Sequence, residues 1–267
     1  MKKGKGLLKF ILITSFLMFG LTILLLYFSA KRAENDRYIT IDPDTMKLVQ
    51  LESPQEGDPV AIVDTTLGEF RFVLYPQYSP NAVRNFTELA ESGYYDGTYV
   101  YNSESGVYAS AGSKNKNGEI SADADKSHEV VERELSQDLW PFRGAICSLN
   151  TDKESSFKQK LMGGGKYFNG SRFAIINSIN FSDEEKQQLL DASESRELGE
   201  AFINNGGVPN FSQQMTVIGQ TYEGLDVIDA ITNVETANDG HSKVPVEDII
   251  INSVKISTYS ENDSKDK

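Results

Sequence analysis

Residue types that do covalent or metal chemistry are sparse in this chain, and their spacing excludes several mechanisms. There are two histidines, His128 and His241, and one cysteine, Cys147. With no H-E-x-x-H pair and no paired cysteines, a zinc site has too few ligands. The run 162–170, MGGGKYFNG, lacks the upstream glycine and the following Ser or Thr of a phosphate-binding loop, so its glycines read as a flexible connection. No G-x-S-x-G nucleophile elbow occurs. The acid-rich stretch 119–134, EISADADKSHEVVERE, lacks the D-x-D-x-D-G register of a calcium loop and reads as a solvated face. Cys147 lies between Ile146 and Ser148, cannot form an internal disulfide, and reads as a small buried hydrophobe.

Composition narrows the classes further. Asp and Glu number 39 against 26 Lys and Arg, a formal net charge of -13. A nucleic-acid surface needs a basic face, so nucleic acid is excluded as a partner. At the N-terminus, residues 10–30 carry no charge, and about twenty such residues let a helix cross a membrane. Lys2, Lys3, Lys5 and Lys9 precede the span, whereas Lys31, Arg32 and Arg37 after it are mixed with Glu34 and Asp36. That bias places residues 1–9 in the cytoplasm and the rest of the chain outside. A cleaved signal peptide is the competing reading, but SAKRA supplies no A-x-A site.

Residues 31–57, rich in charge and turn formers, read as a juxtamembrane linker, and 258–267 as a polar disordered tail. Between them lies one domain, 58–257. VAIVDTT and FRFVLY, flanking a turn at Leu67 to Glu69, predict an antiparallel hairpin. Ser79 as N-cap, Pro80 at the first position, and Ala82, Val83, Phe86, Leu89 and Ala90 at helical spacing predict a helix that Gly93 ends. YVYNSESGVYASAG, GAICSLN and SRFAIIN read as strands. The segment 182–206 opens with a capping box, Ser182 with Glu185, and predicts one or two helices. MTVIGQ then reads as a strand, YEGLDVIDAITNV as a helix and VEDIIINSVKI as a closing strand. Many strands with few helices point to a mainly β barrel rather than a βαβ layer fold.

Read together, SPNAVRNFTELAESGYYDGT, RGAICSLN, GSRFAI, TVIGQTYEGLDVIDAI and PVEDIIINSVKI resemble the cyclophilin-type peptidyl-prolyl isomerases, in the same order along the chain. The resemblance implies an eight-stranded antiparallel barrel closed by two helices, with a peptide groove on its outer face and no metal or cofactor. Residues 151–167 and the helical segment after Ser182 would enlarge loops of that plan. Such an enzyme must bind the twisted X-Pro amide better than the planar one, against a barrier of about 18 to 20 kcal/mol. In the family an arginine donates to the prolyl nitrogen as it loses conjugation.

At the site the chain departs from the family. VYNSESGVYASAG stands for F-H-R-x-x-x-G-F-M-x-Q-G-G, which puts Asn102 at the arginine, Val107 and Tyr108 at the Phe-Met pair and Ser110 at the glutamine. Arg172 replaces the glutamine of G-S-Q-F-F, with Phe173 kept and Ala174 at the next Phe. Leu149 lies beside Asn150, which keeps the backbone-binding asparagine. Asn210, Phe211 and Met215 stand where an aromatic residue, a leucine and a histidine are usual. The peptide-binding set expected from the resemblance is therefore Asn102, Val107, Tyr108, Ser110, Leu149, Asn150, Phe173, Ala174, Phe211 and Met215.

Two functional classes follow. One is a membrane-anchored isomerase acting on proline-containing chains of secreted or surface proteins as they fold, with Arg172 as the candidate substitute for the missing arginine. The other is a groove that binds such chains, or docks an envelope protein, with isomerase activity weak or lost. Losing an oriented charged donor favours the second.

Overall fold

The computed structural model describes residues 14, 18–24, 26–28, 31, 37–118, 130–151, 167–238, 240 and 242–261. Two units are distinguished: Met1–Tyr38 with Lys153–Lys166, and Ile39–Asp152 with Tyr167–Lys267. In the first, residues 18–24 and 26–28 are helical, and Met18, Phe19, Leu21, Leu26, Tyr27 and Phe28 are exposed. Among the described residues no helix is long and apolar enough to cross a membrane. The remainder of the 10–30 span, most of the acid-rich run, the segment 152–166 and the tail from 262 on lie outside the described residues.

The second unit is mainly β. Its strands are β1 (Pro59–Thr65), β2 (Gly68–Leu74), β3 (Thr98–Glu104), β4 (Tyr108–Ser113), β5 (Val131–Glu132), β6 (Ala145–Thr151), β7 (Phe168–Ile176), β8 (Thr216–Glu223), β9 (Thr236–Asn238), β10 (Lys243–Pro245) and β11 (Ile249–Thr258). The order β4-β3-β11-β1-β2-β8-β6-β7, with β7 pairing back onto β4, closes an eight-stranded barrel in which every pairing is antiparallel. β5 extends the pairing beyond β7, while β9 and β10 form a separate two-stranded ribbon.

Alternation along the strands sorts side chains into two layers, because successive residues face opposite sides. Phe70, Phe72 and Leu74 of β2 point inward with Val63, Val100, Ile146, Phe173, Ile175, Ile218 and Ile251. Two helices plug this interior, as the resemblance implies. From α1 (Pro80–Glu91) come Val83, Phe86 and Leu89; the predicted helix after Tyr222 places Ile228 and Ile231 there. Outward-facing Val60, Val73, Tyr75, Cys147, Ala174, Ile176 and Val217 build a second apolar cluster.

The start of α1 is where the sequence predicts it, with Ser79 at the N-cap and Pro80 following, but the Ser79 side chain makes no capping hydrogen bond. That hydroxyl donates to the Val217 carbonyl at 2.9 Å, and the free N–H groups of Asn81 and Ala82 are accepted by the Glu134 carboxylate, each at 2.9 Å. A carboxylate at a helix N-terminus also meets the positive end of the helix dipole.

The segment 182–206 forms two helices, α2 (Asp183–Ala192) and α3 (Arg196–Asn205). Ser182 and Glu185 make the expected capping box. α2 buries none of its residues fully, whereas α3 sets Leu198 and Phe202 against Trp140 and Phe142 in a third cluster. The Phe142 and Phe202 rings lie 4.6 Å apart. Ile41, Met46 and Leu48 pack on the same cluster, so the stretch expected to be a free linker belongs to the compact unit from Ile39 onward. Asp42 donates its N–H to Gln137 and Lys47 to Asp138, while Gln50 is buried between Trp140 and Gln220. The last helix, α4 (Leu225–Thr232), follows β8.

Candidate functional site

The outer face of β3, β4, β6 and β7 collects most of the residues expected to bind peptide. Register sets the pairs: Asn102 of β3 lies opposite Ser110 of β4, and Ser110 in turn lies opposite Ala174 of β7. Ala174 also faces Cys147 of β6. Around this floor the half-buried Val107, Tyr108, Leu149, Phe211 and Met215 all pack onto the same apolar cluster. Phe211 belongs to a short 3-10 turn, Pro209–Phe211, and the loop after it holds Gln213 at φ 59, a left-handed backbone that a residue other than glycine adopts only at some cost.

Phe173 does not join the groove. It is 1% exposed inside the barrel, with its ring 5.8 Å from Phe86 and 5.6 Å from Tyr95. Strand alternation explains this, since Ala174 is its outward neighbour. Asn150 is exposed, and its Nδ2 donates to the Gln214 carbonyl at 2.9 Å, which ties β6 to the loop carrying Met215. Asn210 is exposed, and its carbonyl accepts from the Gln214 side chain.

Asn102, at the arginine position, is only 8% exposed. Its Oδ1 accepts the Lys243 N–H at 2.8 Å, which fastens the ribbon of β9 and β10 across β3. The Lys243 ammonium pairs with Glu104, the next outward residue of the strand. Beside them the Tyr108 ring meets Phe211 edge to face at 5.2 Å. Burial raises the Tyr108 phenol above its usual range and Glu104 adds to the shift, while a hydrogen bond from Asn102 and the Lys243 charge oppose it. The space between β4 and the 3-10 turn is thus narrowed by an aromatic contact. Behind that wall a narrow cleft runs between Phe211, Met215, Leu139 and Tyr78, with Cys147 and Val217 among the residues lining it.

Arg172 also lies on this side of the barrel. Its guanidinium is 5.9 Å from the centre of the Tyr101 ring, and Nη1 donates to the Gly118 carbonyl at 3.3 Å. Tyr101 sits where the register of β3 shifts against β4; a bulge of this kind re-aims a side chain. Burial raises its phenol, opposed by the charge of Arg172 and by hydrogen bonds from Ser110 and Arg172. Sequence reading missed Tyr101 and Lys243. A three-residue ribbon and a bulge leave almost no periodic signal, and only the departure at position 102 points toward them.

A closed antiparallel barrel with two helices packed into its interior and an apolar cluster on its outer face defines the class by fold. The comparisons agree with this class. The family model described as cyclophilin type peptidyl-prolyl cis-trans isomerase/CLD matches residues 60–256. A Streptococcus pyogenes protein provisionally named a bifunctional phosphatase/peptidyl-prolyl cis-trans isomerase is 28% identical over 79% of this chain and 41% of its own length. A Staphylococcus saprophyticus protein provisionally named a peptidyl-prolyl cis-trans isomerase is 27% identical over 78% of this chain and 96% of its own. Among solved structures, a Cryptosporidium parvum cyclophilin type peptidyl-prolyl cis-trans isomerase, crystallised in the presence of the dipeptide Ala-Pro, shares the fold. It aligns with a TM-score of 0.51 at 19% identity, over 75% of this chain and 99% of its own. The chain belongs to the cyclophilin-type peptidyl-prolyl cis-trans isomerase family.

Proposed function

We propose that this protein is a membrane-anchored, extracytoplasmic cyclophilin whose outer groove binds proline-containing segments of secreted or surface proteins as they fold, with isomerase activity weak or lost. The observation that carries the catalytic part is the state of Asn102: it lacks a charged fork, and its oxygen is already engaged by Lys243. Removing one preorganised donor commonly costs about two to three orders of magnitude in rate. The apolar set around Ala174 and Cys147 supports retained binding, as does the Ala-Pro dipeptide used with the Cryptosporidium relative.

Anchoring rests on the uncharged span and the lysines before it. The exposed apolar side chains of Met18, Phe19 and Leu26 support the same reading.

The full-length protein in detergent micelles is tested with an X-Pro peptide for binding and for turnover. Saturable binding with turnover near the uncatalysed rate is expected. Robust turnover that disappears in Arg172→Gln would instead assign the catalytic charge to Arg172, and robust turnover indifferent to that change would leave this account of the site wrong. Protease added to intact cells should digest the domain; its full protection until lysis would reverse the orientation.

A further inference from the structure

Arg172 precedes Ala174 by two residues on β7, so the two share the outward face about 7 Å apart. The Tyr101 ring and the Gly118 carbonyl direct the guanidinium without neutralising it. Among the described residues Arg172 makes no ion pair, whereas neighbouring cations are matched: Lys243 with Glu104 and Lys116 with Asp248. Lys114 is seated over the Tyr94 ring and bonded to its carbonyl. In a chain of net charge -13, an oriented guanidinium beside an apolar groove runs against the surrounding charge. Its planar fork matches a carboxylate better than any other group a polypeptide offers.

We infer that Arg172 determines specificity, selecting client segments that carry Asp or Glu about two residues from the proline seated at Ala174. The inference rests on the groove binding proline as proposed above. An extended chain advances about 3.3 Å per residue, so two residues cover the separation between Ala174 and Arg172. A carboxylate there gains a charge-assisted bond in a half-buried setting; a lysine at that place meets like charge.

The test uses the full-length protein in micelles of a nonionic detergent and fluorescent alanine-rich peptides with one proline. Glu, Gln or Lys is placed two residues before or after that proline. In one of the two placements the Glu peptide is expected to bind about fivefold tighter than its Gln isostere, with Lys weakest, and added salt should shrink the ratio. Arg172→Gln should bring the Glu-to-Gln ratio to one, while Arg172→Lys should retain part of it. Equal binding of Glu and Gln peptides by the wild type at both placements overturns the inference, as does a preference that survives Arg172→Gln. The peptide series needs no variant, so a folding defect cannot mask the answer. Replacing the proline by alanine separates the two levels: if that peptide binds equally well, the groove reading itself fails.

Discussion

The backbone N–H of Lys243 and the side-chain oxygen of Asn102 lie 2.8 Å apart, a bond that holds a two-stranded ribbon over the position where the sequence resemblance leads one to expect an arginine. Asn102→Ala should therefore cost about 1 to 2 kcal/mol of stability, because a sheltered N–H loses its acceptor. Asn102→Arg should also destabilise, by about 1 to 3 kcal/mol, since the larger side chain must displace the ribbon. Denaturant unfolding measures both. Wild-type midpoints in the two variants would mean that the ribbon is not held by this contact.

Tyr108 and Phe211 touch edge to face across the groove. Substituting Tyr108→Met keeps an apolar wall but removes the ring, and affinity for a proline peptide should rise about threefold, which corresponds to roughly 0.6 kcal/mol. Isothermal titration is the measurement. Weaker binding would show that the Tyr108 ring is itself a contact surface for the client.

The inserted helices differ in what they bury. Phe202→Ala should lower stability by about 3 to 5 kcal/mol, as large-to-small changes in a packed core do, because Phe202 is enclosed by Trp140 and Phe142. Gln188→Ala on the exposed face of α2 should stay within about 0.5 kcal/mol of the parent. Deleting 182–206 altogether is expected to be as damaging as Phe202→Ala. A deletion variant that melts like the parent would mean that the segment contributes nothing to the core.

Burial raises the one thiol and several phenols of the domain. The Cys147 thiol is fully enclosed and pushed far above its usual range, so it should resist a soluble thiol reagent at pH 8 until the protein is denatured. Prompt labelling of the native protein would place it within solvent reach. The phenols of Tyr75, Tyr95, Tyr101 and Tyr108 are likewise raised, with burial the largest cause in each. Below pH about 10 they are neutral in both folded and unfolded chains. Above it the unfolded chain ionises first and binds fewer protons than the folded one, so stability should fall with rising pH. Thermal melts between pH 8 and pH 11 check the sign.

The regular parts of the fold were legible because their periods are long enough to register. The hairpin around Leu67, the stripe from Ala82 to Ala90, and the capping box at Ser182 all lie where the sequence predicts them. What escaped depends on contacts distant in the chain. Glu134, in the loop before β6, takes over the cap expected of Ser79, and Gln50, Asp138 and Trp140 convert an apparent linker into a docked strap. The family pattern singled out Asn102, Ser110 and Ala174, and strand register brings these three side by side on the outer face. Phe173 shows the limit of that transfer, since a motif read as a string does not say which of two adjacent residues faces outward.

Closure of the barrel also dictates how any client must be held. Each of its eight strands has neighbours on both sides, so the barrel wall offers no open ladder of N–H and C=O groups to which an incoming chain could be added as a further strand. Capture by strand addition, which accepts almost any sequence in extended form, is thereby closed off along this wall. Recognition falls instead to side chains, and with it comes choice among sequences. The same closure denies any unfolded chain an edge of this wall on which to aggregate.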